Sequence, residues 1–152
     1  MSHIPVNHHL RPLYRAIAVL IGLYLLAFGL VGIIQSAGTD LFGRGDISAL
    51  GLRTNLAFSS ASVAAGLLIL LAVVVGRGIY YVMGVWGGIA FMVVGLTMLA
   101  LLNTDLNLLN FSIATVIVSF IIGIVLFSAG LYGRSGSPSH ARAEESIRHG
   151  GH

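Results

Sequence analysis

The side chains best equipped for chemistry in this chain are six histidines: His3, His8, His9, His140, His149 and His152. Adjacent His8-His9 could bind a transition metal weakly. No pair has the HExxH arrangement by which one helix face presents two imidazoles to zinc. All six lie in the two terminal segments, where a solvated tail is the simpler reading, so no metal or cofactor site is assigned. Cysteine is absent, which removes disulfides, thiolate metal sites and cysteine nucleophiles. Gly43-Arg44-Gly45-Asp46 is no phosphate cradle, because no Gly-Lys-Ser/Thr follows it. Arg44-Gly45-Asp46 matches an integrin-binding tripeptide, a match too short to carry that meaning. No catalytic residue emerges, and the chain is read as non-enzymatic.

Polar chemistry in positions that must be ordered is confined to two segments. The first runs from Gln35 to Asn55 and the second from Asn103 to Asn110. Arg44, Asp46, Asp105 and Asn107 form the candidate polar cluster. Arg44 or Arg53 can pair there with Asp46 or Asp105. Asn55 and Asn110 each stand just before an apolar run, where a helix N-cap belongs. Hydroxyls at Ser59, Ser60, Ser62, Ser112, Thr115 and Ser119 fall at or near the same level, with Thr97 and Ser128 elsewhere. Hydroxyls are tolerated in lipid because they can bond back to carbonyls one turn earlier. This cluster either lines a small polar vestibule or, in the preferred reading, makes hydrogen bonds between helices. Structural pairing and capping is preferred over a ligand site.

Four apolar blocks must position these groups: residues 16–34, 56–75, 79–102 and 111–131. The chain of 152 residues is 57% hydrophobic and 9% charged, against about 25% charged in soluble domains. None of the four blocks contains Asp, Glu, Lys, Arg or His. At about 1.5 Å per residue each can cross a hydrocarbon core of about 30 Å. All three prolines lie outside them, and Pro12 suits the first turn of a helix. The fold class is therefore all-α, an integral membrane four-helix bundle, with residues 1–15 as an N-terminal tail, 16–132 as the membrane domain and 133–152 as a disordered tail. Arg11 and Arg15 before the first block resemble the start of a signal peptide. That block exceeds the usual apolar region of about 7–15 residues, so it is read as a retained span.

Arginine placement sets the expected orientation. Arg11, Arg15, Arg77, Arg134, Arg142 and Arg148 share one side; Arg44 and Arg53 share the other, beside all three aspartates. The positive-inside rule puts both termini in the cytoplasm. Tyr14, Tyr80, Tyr81 and Tyr132 fall near the same interface. Every histidine then faces away from every aspartate, which excludes a Ser/His/Asp set. No ionisable group lies within a span, so the usual mark of a proton relay or ion pathway is missing. The net charge of +3 points to membrane lipids as partners and not to nucleic acid.

Phe58-Ser59-Ser60-Ala61-Ser62-Val63 resembles Phe111-Ser112-Ile113-Ala114-Thr115-Val116, and both blocks end in Gly-Arg, at Gly76-Arg77 and Gly133-Arg134. Ala27-Phe28 with Gly32 echoes Ala90-Phe91 with Gly95. The bundle can therefore be read as two tandem helical hairpins. Small residues Gly84, Gly88, Gly95, Ser119 and Gly123 are the expected helix-packing positions, since small-xxx-small stripes let backbones approach in lipid. Packing inside the bundle is preferred over an outward stripe that binds another copy or another subunit.

Arg44-Gly45-Asp46, Gly51-Leu52 with Thr54-Asn55, and Leu101-Leu102 with Thr104-Asp105 and Asn107 carry a family resemblance. Val118-Ser119-Phe120 with Gly123, and Gly130-Leu131-Tyr132-Gly133-Arg134, extend it over residues 10–134. Together they resemble the four-span actinobacterial membrane family catalogued as domain of unknown function 4383. The resemblance implies a bacterial inner-membrane protein and no activity, cofactor or site residue. The expected role is an accessory or assembly subunit of a membrane complex; the alternative is a homo-oligomeric transporter of a lipid or small molecule.

Overall fold

A computed structural model describes residues 10–133, apart from the side chain of Arg77. The expectations for the histidine-bearing segments and for disorder from residue 134 onward lie outside these residues. Gly133, assigned to that tail, is instead buried and donates to Ala129 O at the end of the last helix. The elements in order are α1 (Arg11–Gln35), β1 (Ser48–Ala49), β2 (Leu52–Arg53), α2 (Leu56–Val75), α3 (Arg77–Leu101) and α4 (Ile113–Tyr132). All four helices are long and apolar enough to cross a membrane.

Helix α1 starts five residues before its apolar block, with Pro12 in its first turn. Arginines tolerate this level because their stems cover apolar surface while the guanidinium stays near the headgroups. Helix α2 matches its block. The connection to α3 is a single residue rather than a loop. Gly76 adopts φ 66°, ends α2 by donating to Ala72 O, and accepts from Tyr80 N to begin α3. Positive φ suits glycine here because it carries no Cβ. Helix α4 starts two residues later than its apolar block, for reasons given by the loop chemistry below. The antiparallel hairpin β1–β2 pairs Ser48 with Arg53 and Ala49 with Leu52, an element that apolar patterning did not suggest.

The helices form two tight hairpins, α1 on α2 and α3 on α4, joined by lighter α1–α4 and α2–α3 contacts. Each hairpin closes on a glycine pair. A Cβ on Gly66 would lie 2.8 Å from Gly22 O, and one on Gly123 would lie 2.9 Å from Gly88 O. The two hairpins thus correspond, in the register of the expected Gly76 and Gly133 endings and not in that of the Phe58–Phe111 or Ala27–Ala90 likeness. Matching helix starts carries Arg11 onto Arg77, Tyr14 onto Tyr80, Gly22 onto Gly88 and Gly29 onto Gly95. In the second pair of helices, Ser62 falls on Ser119, Gly66 on Gly123 and Gly76 on Gly133, all of them buried. The likeness of Phe58 to Phe111 is therefore not a structural equivalence. Phe58 lies in the first turn of α2, whereas Phe111 precedes the cap of α4.

The packing stripe of α3 faces its own hairpin. Gly84 abuts Gly130, and Gly88 abuts Gly123 and Phe127. Gly95 lies at ordinary contact distance from Ser119 and Phe120. The apolar core of the bundle contains Ala18, Leu25, Ile69, Tyr80 and Leu126. A second cluster, of Met98, Phe111 and Val116, underlies the loops.

Candidate functional site

The two long loops meet at one end of the bundle, joined by side chains of Asn55, Asn110 and Arg44. Asn55 caps α2, its side-chain oxygen accepting from Phe58 N at 2.9 Å. Its amide nitrogen donates to Leu108 O at 2.7 Å. Asn110 does not cap α4. It sits at φ 54°, a region asparagine tolerates better than most residues. Its amide donates to Gly45 O at 3.0 Å and Thr54 O at 2.9 Å. The cap of α4 is Ser112, in a reciprocal box with Thr115. That box explains the later start of the helix.

Asn107 turns inward. Its oxygen accepts from Phe111 N at 2.9 Å, and its amide donates to Phe111 O and Leu102 O. Asn55, Asn107 and Asn110 are all buried, as groups with filled hydrogen-bond capacity can be. Thr115 adds a bond to Arg53 O, which fastens α4 to the hairpin loop.

The ions sit outside this lattice. Arg44 Nη1 lies 3.2 Å from Asp105 Oδ1, and the same guanidinium donates to the carbonyls of Thr104 and Asp105. Asp46 pairs with Arg53 instead. All four of these charged residues are exposed. Of the four cluster residues, Arg44 and Asp105 come together, Asp46 joins a neighbouring pair, and Asn107 is withdrawn into the fold.

A polar vestibule lined by Ser59 and Ser112 does not form. Ser59 is fully buried and shares a 2.8 Å hydrogen bond with Thr54. Gly32 presses against it so closely that a Cβ would overlap Ser59 Oγ. Above them Phe58 and Phe111 pack at 4.6 Å between ring centroids, and Phe28 meets Phe58 at 5.3 Å. Ser60, Ser62, Thr97 and Ser128 bond back to carbonyls four residues earlier. Among the described residues no three His, Asp or Glu side chains gather as metal ligands.

The cross-loop bonds of Asn110 and the inward turn of Asn107 escaped sequence reading. Their only signal was the density of asparagine around the second loop. Comparison with protein-family models, curated proteins and solved structures finds no match.

Proposed function

We propose that the chain is a non-enzymatic accessory or assembly subunit of a membrane complex, seated in a bacterial inner membrane with both termini cytoplasmic. The supporting observation is the closed loop end. Buried Asn55 and Asn110 hold the two loops together, buried Asn107 braces the second loop against itself, and aromatic rings pack beside them. Such a lattice makes a rigid lid, which suits a surface that partners rest on. It does not suit a mouth that admits a solute. The sequence resemblance to the four-span family supports the membrane assignment and leaves the partner open.

Native mass analysis of gently solubilised complexes tests this reading. A different subunit held at fixed stoichiometry supports it. A homo-oligomer that moves a solute or lipid across a reconstituted bilayer overturns it in favour of the transporter alternative.

A further inference from the structure

Both loops bring apolar side chains to the first turn of α2. Leu41 O accepts from Ala57 N at 2.9 Å, which sets the Leu41-Phe42 turn of the first loop beside that helix start. From the second loop, Leu108 O accepts from the capping residue Asn55 at 2.7 Å, and Leu106 O accepts from Leu108 N at 2.8 Å. Leu41, Phe42, Leu106 and Leu108 are all exposed. The carbonyls of the three leucines are occupied inside the chain, which lowers the cost of taking these segments out of bulk water. Of the charges adjoining them in sequence, Arg44 and Asp105 are paired with each other and Asp40 is exposed.

Helix length sets the depth of this patch. Helices α2 and α4 have 20 residues each, about 30 Å at roughly 1.5 Å per residue, which is the thickness of the hydrocarbon core. When they span that core, the first turn of α2 comes at its edge. Residues bonded to that turn then lie within the headgroup layer, about 5–8 Å deep in each leaflet. That layer is where interfacial aromatic residues usually hold a bundle at its level. Tyr14, Tyr80, Tyr81 and Tyr132 all stand at the opposite end of the helices. Neither loop contains tyrosine or tryptophan.

We infer that Leu41, Phe42, Leu106 and Leu108 are seated at the boundary of headgroup and acyl chain in the leaflet at the loop end, in place of the missing aromatic belt. Lipid is the occupant, and not a partner protein, because helix length leaves these residues at a depth where lipid is already present. The headgroup layer is hydrated, so the paired Arg44 and Asp105 and the exposed Asp40 are tolerated beside them. A partner resting on the lid would then contact the remainder of the two loops. The inference needs only that the helices span a bilayer, and stands whether or not the chain is an accessory subunit.

The test uses the full chain in nanodiscs of phosphatidylcholine, with Trp86→Phe as the parent so that a single indole reports. Phe42→Trp and Leu108→Trp are made separately on that parent, and melting equal to the parent's in neutral detergent shows that each is folded. Each indole should emit to the blue of N-acetyltryptophanamide in the same buffer. Acrylamide in the water should quench it severalfold less than that reference. Phosphatidylcholine spin-labelled near the headgroup end of its acyl chain should quench it, and more strongly than lipid labelled at the chain end. Acrylamide quenching as strong as the reference's overturns the inference and leaves the patch to water. Shielding from both acrylamide and spin-labelled lipid means that protein covers the indole, and also overturns it. Stronger quenching from the chain end places the loops deeper than the boundary and overturns it as well.

Discussion

Gly88 and Gly123 meet backbone to backbone: a Cβ built on Gly88 would lie 2.7 Å from Gly123 O, and 2.6 Å from Phe127 N. Neither neighbour is the end of a flexible side chain, so the α3–α4 hairpin cannot absorb a methyl group there without separating.

Gly88→Ala should therefore destabilise by about 1–3 kcal/mol, the usual cost of overpacking, and Gly88→Leu by more. Gly95→Ala is the control. Its Cβ would meet Ser119 and Phe120 at 3.5 Å or more, and alanine favours the helix by roughly 0.5–1 kcal/mol over glycine. Thermal melting in detergent should fall for the first substitution and hold or rise for the second. Equal behaviour of the two would show that Gly88 and Gly123 do not limit how closely the hairpin packs.

The loop lattice gives a second contrast. Asn110→Ala removes the donors to Gly45 O and Thr54 O and leaves a β-carbon at positive φ. The expected loss is about 2–4 kcal/mol. Asn110→Gly loses the same bonds without the backbone strain and should recover about 1 kcal/mol of that. Asp105→Asn should barely move the melting temperature. Its carboxylate is exposed, and Arg44 still reaches the carbonyls of Thr104 and Asp105. A large loss in Asp105→Asn would show that the exposed ion pair, and not the buried amides, holds the loops.

These residues also show which parts of the molecule were legible in advance. The spans were, because long uncharged apolar runs have few alternatives. The hydroxyls of Ser60, Ser62, Thr97 and Ser128 bond back along their own helices, whereas the sequence reading prefers bonds between helices. Register between the hairpins did not follow from likeness of apolar residues. In segments of such narrow composition, a shift of one turn preserves most of the likeness. What fixes register is the contact of Gly22 with Gly66 and of Gly88 with Gly123, a relation across helices. Asn107 and Asn110 were harder still. An amide can cap, back-bond or cross to another loop, and only the approach of the first loop to the second selects among these.

Orientation rests on arginine placement and is open to direct measurement. The protein has no cysteine of its own, so single cysteines report cleanly. Ser48 is exposed at the loop end of the bundle, and Ser137 follows the last helix in sequence. With both termini cytoplasmic, an impermeant thiol reagent on intact cells should label Ser48→Cys and spare Ser137→Cys. The reverse pattern would invert the topology and place the closed lid in the cytoplasm.

The tip of the hairpin offers a test that separates stability from use. Leu50 sits at φ 49° beside Gly51 at φ 82°, the conformation of a tight hairpin turn that asparagine or glycine normally occupies. A leucine there costs roughly 1–2 kcal/mol in backbone strain, and its side chain is exposed, so burial does not offset that cost. Leu50→Asn should raise the melting temperature of the isolated protein. If the lid is a surface on which a partner rests, the same substitution should weaken the native complex, because the exposed leucine is removed from it. A variant that is more stable alone and less able to hold its partner would place Leu50 in the interface. A variant that melts lower would mean that the strain is offset by packing within the chain, and an unaltered complex would move the contact elsewhere on the lid.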